Sequence, residues 1–250
     1  MRNTGKVFLC GAGPGDPKLI TVKAMQLLKS CDVVLYDRLV SKDIINQIPA
    51  QSEKIYVGRE VGDPTSHQDN TNIQMVRLAK EGKKVLRLKG GDPFIFGRGG
   101  EEAEFLFENG VRFEIIPGIS SAIGAAAYAG IPLTHRQYAS SLAIVTGHED
   151  GNKDESIVKW ERLANAADTI VILMGMENLQ RICYNLINAG MGTNTEIAII
   201  EKATLRTQRV TSGNLANIMR KAEDSRIKPP AVIIIGKVVA LSKKIAWYGK

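Results

Sequence analysis

The stretch Val7-Phe8-Leu9-Cys10-Gly11-Ala12-Gly13-Pro14-Gly15-Asp16-Pro17 decides the fold, because an apolar run of strand length ends in a glycine loop. An amphipathic segment, Val22 to Lys29, and a second apolar run, Asp32-Val33-Val34-Leu35-Tyr36, follow it. Strand, helix and strand in that order form a β-α-β unit that feeds a parallel sheet. The rhythm recurs with strands predicted at Lys84 to Leu88 and Val111 to Ile116 and a helix over Gly100 to Asn109, stopped by Gly110. Past Pro117-Gly118 it begins again, with strands at Ser141 to Val145, Thr169 to Leu173, Glu196 to Ile200 and Ala231 to Ile235. Helices are predicted between them at Trp160 to Asn165, Leu179 to Ala189 and Leu215 to Ala222. The expected class is α/β, with mainly parallel sheets in two domains, residues 1–116 and 117–250. One larger continuous sheet would produce the same alternation.

With 250 residues, 44% of them hydrophobic and 24% charged, the chain has the composition of an ordinary globular protein, which excludes a disordered or fibrous one. No apolar run approaches the roughly 20 residues of a membrane-spanning helix, and Met1 to Lys6 leads into a strand without a signal-like apolar region. A cytoplasmic protein with no membrane partner is expected. Cys10, Cys31 and Cys183 are odd in number and widely spaced, so neither a disulfide framework nor a zinc site is expected, and they read as buried thiols. The net charge of +7 points to an acidic partner. Lys and Arg are dispersed and aromatics make up only 6%, which leaves little material for a base-stacking surface, so no nucleic-acid partner is expected.

The first glycine loop invites a dinucleotide-binding reading, with Asp37 after the second strand as the acid on the ribose. The spacing opposes it. The position three residues after Gly13 needs a glycine for close helix packing, but Asp16 stands there, and a carboxylate would repel a pyrophosphate. What remains is a loop at the carboxyl end of a strand where backbone approaches a small ligand, or a tight turn without one. A second loop, Lys89-Gly90-Gly91-Asp92-Pro93-Phe94-Ile95-Phe96-Gly97-Arg98-Gly99-Gly100, has too many glycines for a plain hairpin. Asp92, fixed between Gly91 and Pro93, is placed to accept hydrogen bonds from an amine or a ribose. Glu101 and Glu102 read as helix-start residues that complement the dipole. The small-residue run after Pro117-Gly118-Ile119-Ser120-Ser121 either packs tightly on its own domain or leaves space for a ligand at its start. His135-Arg136 offers two potential cations to a carboxylate ligand, or is a solvated loop. His67, His135 and His148 lack metal-ligand spacing, so no metal is expected, and no GxSxG or GxxxxGK[ST] motif occurs.

Taken together, GAGPGDPKLIT within Val7 to Thr21, VVLYDRLV at Val33 to Val40, RLKGGDPFIFGRGGEE at Arg87 to Glu102, IPLTHR at Ile131 to Arg136, TGH at Thr146 to His148 and PPAVIIIGKVVAL at Pro229 to Leu241 resemble the tetrapyrrole methylase superfamily. Within it they resemble most nearly the uroporphyrinogen-III C-methyltransferase family, in order and over almost the whole chain. The resemblance implies a homodimer of two-domain α/β subunits with an active-site cleft between the domains. It also implies S-adenosyl-L-methionine as cofactor, S-adenosyl-L-homocysteine as its product, and methylation of uroporphyrinogen III at C2 and C7 to give precorrin-2 for siroheme and cobalamin. The family's cofactor contacts fall on Pro14, Gly90, Gly91, Asp92, Ile95, Ser120, Ser121, Met174 and Ala203, its acid/base position on Asp37 and a second catalytic position on Arg59. A polycarboxylate substrate gives Arg38, Arg98, His135 and Arg136 a purpose, since guanidinium binds carboxylates in pairs of hydrogen bonds. Three positions depart from the family pattern: Arg59 where Lys is common, Pro64 where His is common, and Ala203 where Gly is frequent. Nothing in the chain resembles the dehydrogenase and ferrochelatase module fused to some relatives, so a monofunctional methylase is expected. Competing readings are a methylase of a later corrin intermediate, a nicotinamide oxidoreductase and a basic RNA-binding module.

Overall fold

Strand β1 (Lys6–Gly11) is apolar on both faces, as a strand covered on both sides must be. In the computed structural model, which describes residues 5–58, 66–148 and 158–249, Val7 and Leu9 enter one core cluster while Phe8 and Cys10 enter another. The residues fall into two compact units, Met1–Ser120 and Ser121–Lys250.

The first unit continues with α1 (Val22–Leu28), β2 (Val33–Tyr36), α2 (Lys42–Ile45), β3 (Glu53–Tyr56), α3 (Ser66–Lys80), β4 (Lys84–Lys89), α4 (Gly99–Glu108) and β5 (Arg112–Ile116). Its sheet has the order β3-β2-β4-β1-β5 with every pairing parallel, so β4 and β1 are central. Alternation assigns the faces. Phe8, Val34, Leu86 and Leu88 pack with Ala24, Leu27 and Leu28 of α1 and Ile44 of α2. Val7, Leu35 and Val85 pack with Met75 and Leu78 of α3 and Leu106 of α4. Helix α1 starts where Thr21 Oγ1 accepts the Ala24 amide at 3.2 Å. Leu35 lies wholly buried in this core, so Leu35→Ala should lower stability by about 2–5 kcal/mol in urea unfolding.

The second unit comprises α5 (Ser121–Tyr128), β6 (Leu142–Thr146), α6 (Trp160–Ala166), β7 (Thr169–Leu173), α7 (Leu179–Asn188), β8 (Glu196–Glu201), β9 (Arg209–Asn214), α8 (Ile218–Asp224), β10 (Ala231–Ile235) and α9 (Ser242–Ile245). Its strands run β6-β7-β10-β8-β9. The α/β class holds, and the first sheet is parallel as expected, but here only β6 and β7 pair in parallel. The pairings of β10 with β7 and β8, and of β8 with β9, are antiparallel. The cause is β9, Arg-Val-Thr-Ser-Gly-Asn, a polar edge strand that the apolar rhythm does not announce. It turns back on β8 without a helical crossover and so reverses the direction of β10. The small-residue helix α5 packs tightly, with Ala122, Ala125 and Ala126 buried against Val171, Ala198 and Ile234.

All three cysteines are free and buried. Burial pushes the Cys10 and Cys31 thiols up to about 12 and the Cys183 thiol to about 11, so each is a protonated thiol at neutral pH. Among the described residues no helix is long and apolar enough to cross a membrane, and no group of His, Cys, Asp and Glu is arranged to hold a metal ion.

Candidate active site

The carboxyl ends of β1 and β4 and the turn after β5 close on one another through bare backbone. Gly13 and Gly91 exchange two main-chain hydrogen bonds, of 3.1 and 2.8 Å, and the Ala12 amide donates to the Lys89 carbonyl at 2.7 Å. A Cβ on Gly11 would lie 2.5 Å from the Gly91 carbonyl oxygen and 2.7 Å from the Gly118 Cα; one on Gly118 would lie 2.8 Å from the Gly11 Cα. No side chain fits at either position, and Gly91 has a φ of +67°, which favours glycine. The structure thus gathers Pro14, Gly90, Gly91, Asp92 and Ser120 at the carboxyl end of the first sheet, where ligands of parallel α/β sheets bind.

Asp92 holds this place together from within. Its Oδ1 accepts the Phe94 amide at 2.8 Å and its Oδ2 the Gly118 amide at 3.0 Å, so both oxygens already serve the loops. The same side chain is a staple between the β4 and β5 ends. Beyond it Phe94, Ile95 and Phe96 are three consecutive exposed apolar side chains. Asp16 caps the turn at Pro17–Leu19 through its Oδ1, which accepts the Lys18 amide at 2.9 Å. That local role explains a carboxylate where a dinucleotide loop needs glycine.

Asp37 directly follows β2, and its amide donates to the Leu88 carbonyl, extending the parallel pairing by one residue. Its carboxylate does not stand alone. Arg87 Nη2 donates to Asp37 Oδ1 at 2.6 Å, Arg87 Nε donates to Glu102 Oε1 at 3.0 Å, and Lys89 Nζ donates to the same Glu102 oxygen at 2.9 Å. Glu102 stands in the first turn of α4 as expected, but it is wholly buried and is the counter-charge of β4, whereas exposed Glu101 accepts from Arg98 Nε at 2.5 Å. Burial works against the Glu102 carboxylate, but Arg87 and Lys89 outweigh it and hold its pKa below the usual range. Burial likewise opposes the Arg87 guanidinium, yet Glu102 and Asp37 prevail and raise its pKa. At Lys89 burial wins, helped by the Arg87 charge, and the pKa is lowered.

Sequence reasoning missed Arg87, Lys89 and Glu102 as a unit. The signal was present: Arg87 and Lys89 are two residues apart and hence on one face of a central strand that is otherwise apolar there. Arg38 is exposed two residues beyond β2, and Arg98 adopts a left-handed φ of +59° just before α4. Arg59 and Pro64 lie outside the described residues.

In the second unit Ser121 opens α5, and Met174 and Ala203 sit beyond the carboxyl ends of β7 and β8, so these two share one end of that sheet. Met174 has a φ of +56° and is 51% exposed. Ala203 is buried between Lys202 and Thr204, both with positive φ. His135 and Arg136 belong to a short turn. The His135 amide donates to Ala139, its Nδ1 accepts the Gln137 amide at 3.2 Å, and its ring stacks on Tyr138, while Arg136 is exposed.

Comparison with known proteins agrees with this arrangement of glycine loops and strand ends. Residues 6–219 match the family described as tetrapyrrole (corrin/porphyrin) methylases. A Methanosarcina barkeri protein named S-adenosyl-L-methionine-dependent uroporphyrinogen III methyltransferase is 51% identical over 239 residues, covering 96% of this chain and 94% of that protein. A siroheme synthase of Thiobacillus denitrificans is 52% identical over 244 residues, 98% of this chain but 50% of the relative, so the chain spans about half the length of the siroheme synthases it matches. The crystal structure of a Thermus thermophilus uroporphyrin-III C-methyl transferase complexed with S-adenyl homocysteine has a TM-score of 0.81 and 38% identity, covering 95% of this chain and all of that one. With the match running through both glycine loops and both sheets, the chain belongs to the tetrapyrrole (corrin/porphyrin) methylases.

Proposed function

We propose that this chain is an S-adenosyl-L-methionine-dependent C-methyltransferase that methylates uroporphyrinogen III at C2 and then C7, giving precorrin-2. The observation that carries the reading is the 51% identity along nearly the full length of the Methanosarcina barkeri methyltransferase. The geometry supports it. A ligand at the end of the first sheet meets backbone rather than side chains, which suits a cofactor held close to the main chain, and Gly90 is half-buried with Leu39 Cβ 3.0 Å from where its own Cβ would stand. When bound, S-adenosyl-L-methionine supplies an electrophilic methyl on a sulfonium centre, and its C–S electron pair leaves with the sulfur.

The residues have the remaining work of orienting the macrocycle and taking the proton it loses once a ring carbon is methylated. Asp37 is the group we assign to that proton, because its carboxylate is 27% exposed at a strand's carboxyl end while the charges behind it are buried. Arg38, Arg98, His135 and Arg136 are assigned to the substrate's carboxylates, in keeping with the net charge of +7. The cofactor assignments of Pro14, Gly90, Gly91, Asp92, Ile95, Ser120, Ser121, Met174 and Ala203, and the second catalytic position at Arg59, rest on the family resemblance. A homodimer in the cytoplasm belongs to the same proposal.

Anaerobic incubation with uroporphyrinogen III and S-adenosyl-L-methionine, followed by mass spectrometry, should show a gain of two methyl groups. Calorimetry should show micromolar binding of S-adenosyl-L-homocysteine and none of NAD. Binding of NAD without S-adenosyl-L-homocysteine would overturn the reading.

A further inference from the structure

Strand β4 lies in the middle of a sheet covered on both faces, yet it carries two cations under α4. Arg87 and Lys89 are 3% and 4% exposed and Glu102 not at all, so three charged side chains are withdrawn from water. That is a costly construction for a core, since apolar residues of similar volume serve stability as well or better. Asp37 is the fourth member and the one that reaches outward. The guanidinium of Arg87 spans the two carboxylates with different nitrogens, Nε to Glu102 and Nη2 to Asp37, which fixes the plane of the fork and with it the position of Asp37 Oδ1. Lys89 Nζ stands 3.8 Å from Asp37 Oδ2 and so faces the other oxygen.

We propose that Arg87 is a positioning residue for the Asp37 carboxylate during methyl transfer, with Lys89 and Glu102 completing the unit. The proposal rests on the reading of Asp37 as the group that meets the substrate. Two cations and two anions cancel only while Asp37 is ionised. Glu102 neutralises one of the two buried cations, and the remaining positive charge is satisfied by a carboxylate at the site and by nothing deeper in the quartet. The unit therefore presents a carboxylate oxygen at a set place, with the side chain's exposed edge left for the substrate.

The test is a double-mutant cycle of Arg87→Gln and Asp37→Asn, read by single-turnover methylation of uroporphyrinogen III at saturating S-adenosyl-L-methionine and by the Kd for S-adenosyl-L-homocysteine. Arg87→Gln should slow methyl transfer at least tenfold with the Kd within about threefold of wild type, and Arg87→Lys, which keeps the charge but not the fork, should fall between. In the Asp37→Asn background Arg87→Gln should cost no further rate, because a residue that acts through Asp37 has nothing left to position. A merely structural role would instead multiply the two losses, and that result overturns the proposal, as does a wild-type rate for Arg87→Gln. If Arg87→Gln fails to fold, Lys89→Met takes its place in the cycle under the same criterion. A wild-type rate for Asp37→Asn removes the underlying reading as well, whereas a slow Asp37→Asn beside a normal Arg87→Gln removes the positioning role alone.

Discussion

Asp37→Asn is expected to slow methyl transfer by about 10²–10⁴-fold, the usual loss when a positioned proton acceptor is removed, while S-adenosyl-L-homocysteine binds within about threefold of wild type. Asparagine keeps the shape of the side chain and one hydrogen-bond acceptor for Arg87 Nη2, so the loop after β2 should hold its course. What changes is charge. Arg87 and Lys89 are left with Glu102 as their one carboxylate partner in the quartet, and thermal unfolding should report a loss of about 1–3 kcal/mol for that imbalance. Rate and stability are therefore read separately, with single-turnover kinetics well below the melting temperature. A variant that turns over at the wild-type rate would send the search for the acceptor to bound water or a substrate carboxylate.

Gly11→Ala should abolish measurable cofactor binding, a loss of at least about 100-fold, through a single methyl group. That methyl would meet the Gly91 carbonyl oxygen at 2.5 Å and Gly118 backbone atoms at 2.7 Å, and backbone cannot swing aside as a long side chain does. The ends of β1 and β4 must part, which breaks the paired bonds between Gly13 and Gly91, and overpacking of this kind costs about 1–3 kcal/mol in stability. Gly100→Ala is the control. Its added carbon meets nothing within 4 Å, and in the first turn of α4 alanine should stabilise by about 0.5–1 kcal/mol. Equal calorimetric binding of S-adenosyl-L-homocysteine to Gly11→Ala and wild type would show that the convergence of backbones is irrelevant to the ligand.

Apolar alternation made the first sheet legible at β1, β2, β4 and β5, since buried parallel strands write themselves as continuous Val, Leu and Ile. The direction of β10 was not legible, because it depends on β9, where Thr, Ser, Gly and Asn occupy an edge that needs no apolar face. Glycine spacing at Gly11, Gly13 and Gly91 pointed to a loop where backbone approaches a ligand, and Asp16 argued against a dinucleotide. It did not disclose that Asp92, besides its local bond to Phe94, holds the Gly118 amide, a contact between residues 26 apart that local spacing does not encode. Glu101 and Glu102 were read from their place in the first helical turn, where both stand, but one is exposed and the other buried. Only the packing of α4 over β4 separates the two.

The register of β1 against β4 has a consequence for how the chain comes to be folded. In register, Lys6 to Gly11 face Lys84 to Lys89, and just beyond the parallel ladder Gly13 and Gly91 form an isolated antiparallel bridge. A slip of one residue would bring Gly90 or Asp92 opposite Gly13 and would turn Arg87 and Lys89 onto the face lined by α1, away from Glu102. Parallel strands pair late and slowly, so such slips compete during folding. A ligand that binds only the in-register form withdraws those chains from the pool exposed to proteases by mass action. A small molecule bound at this strand end thus favours the correctly threaded sheet.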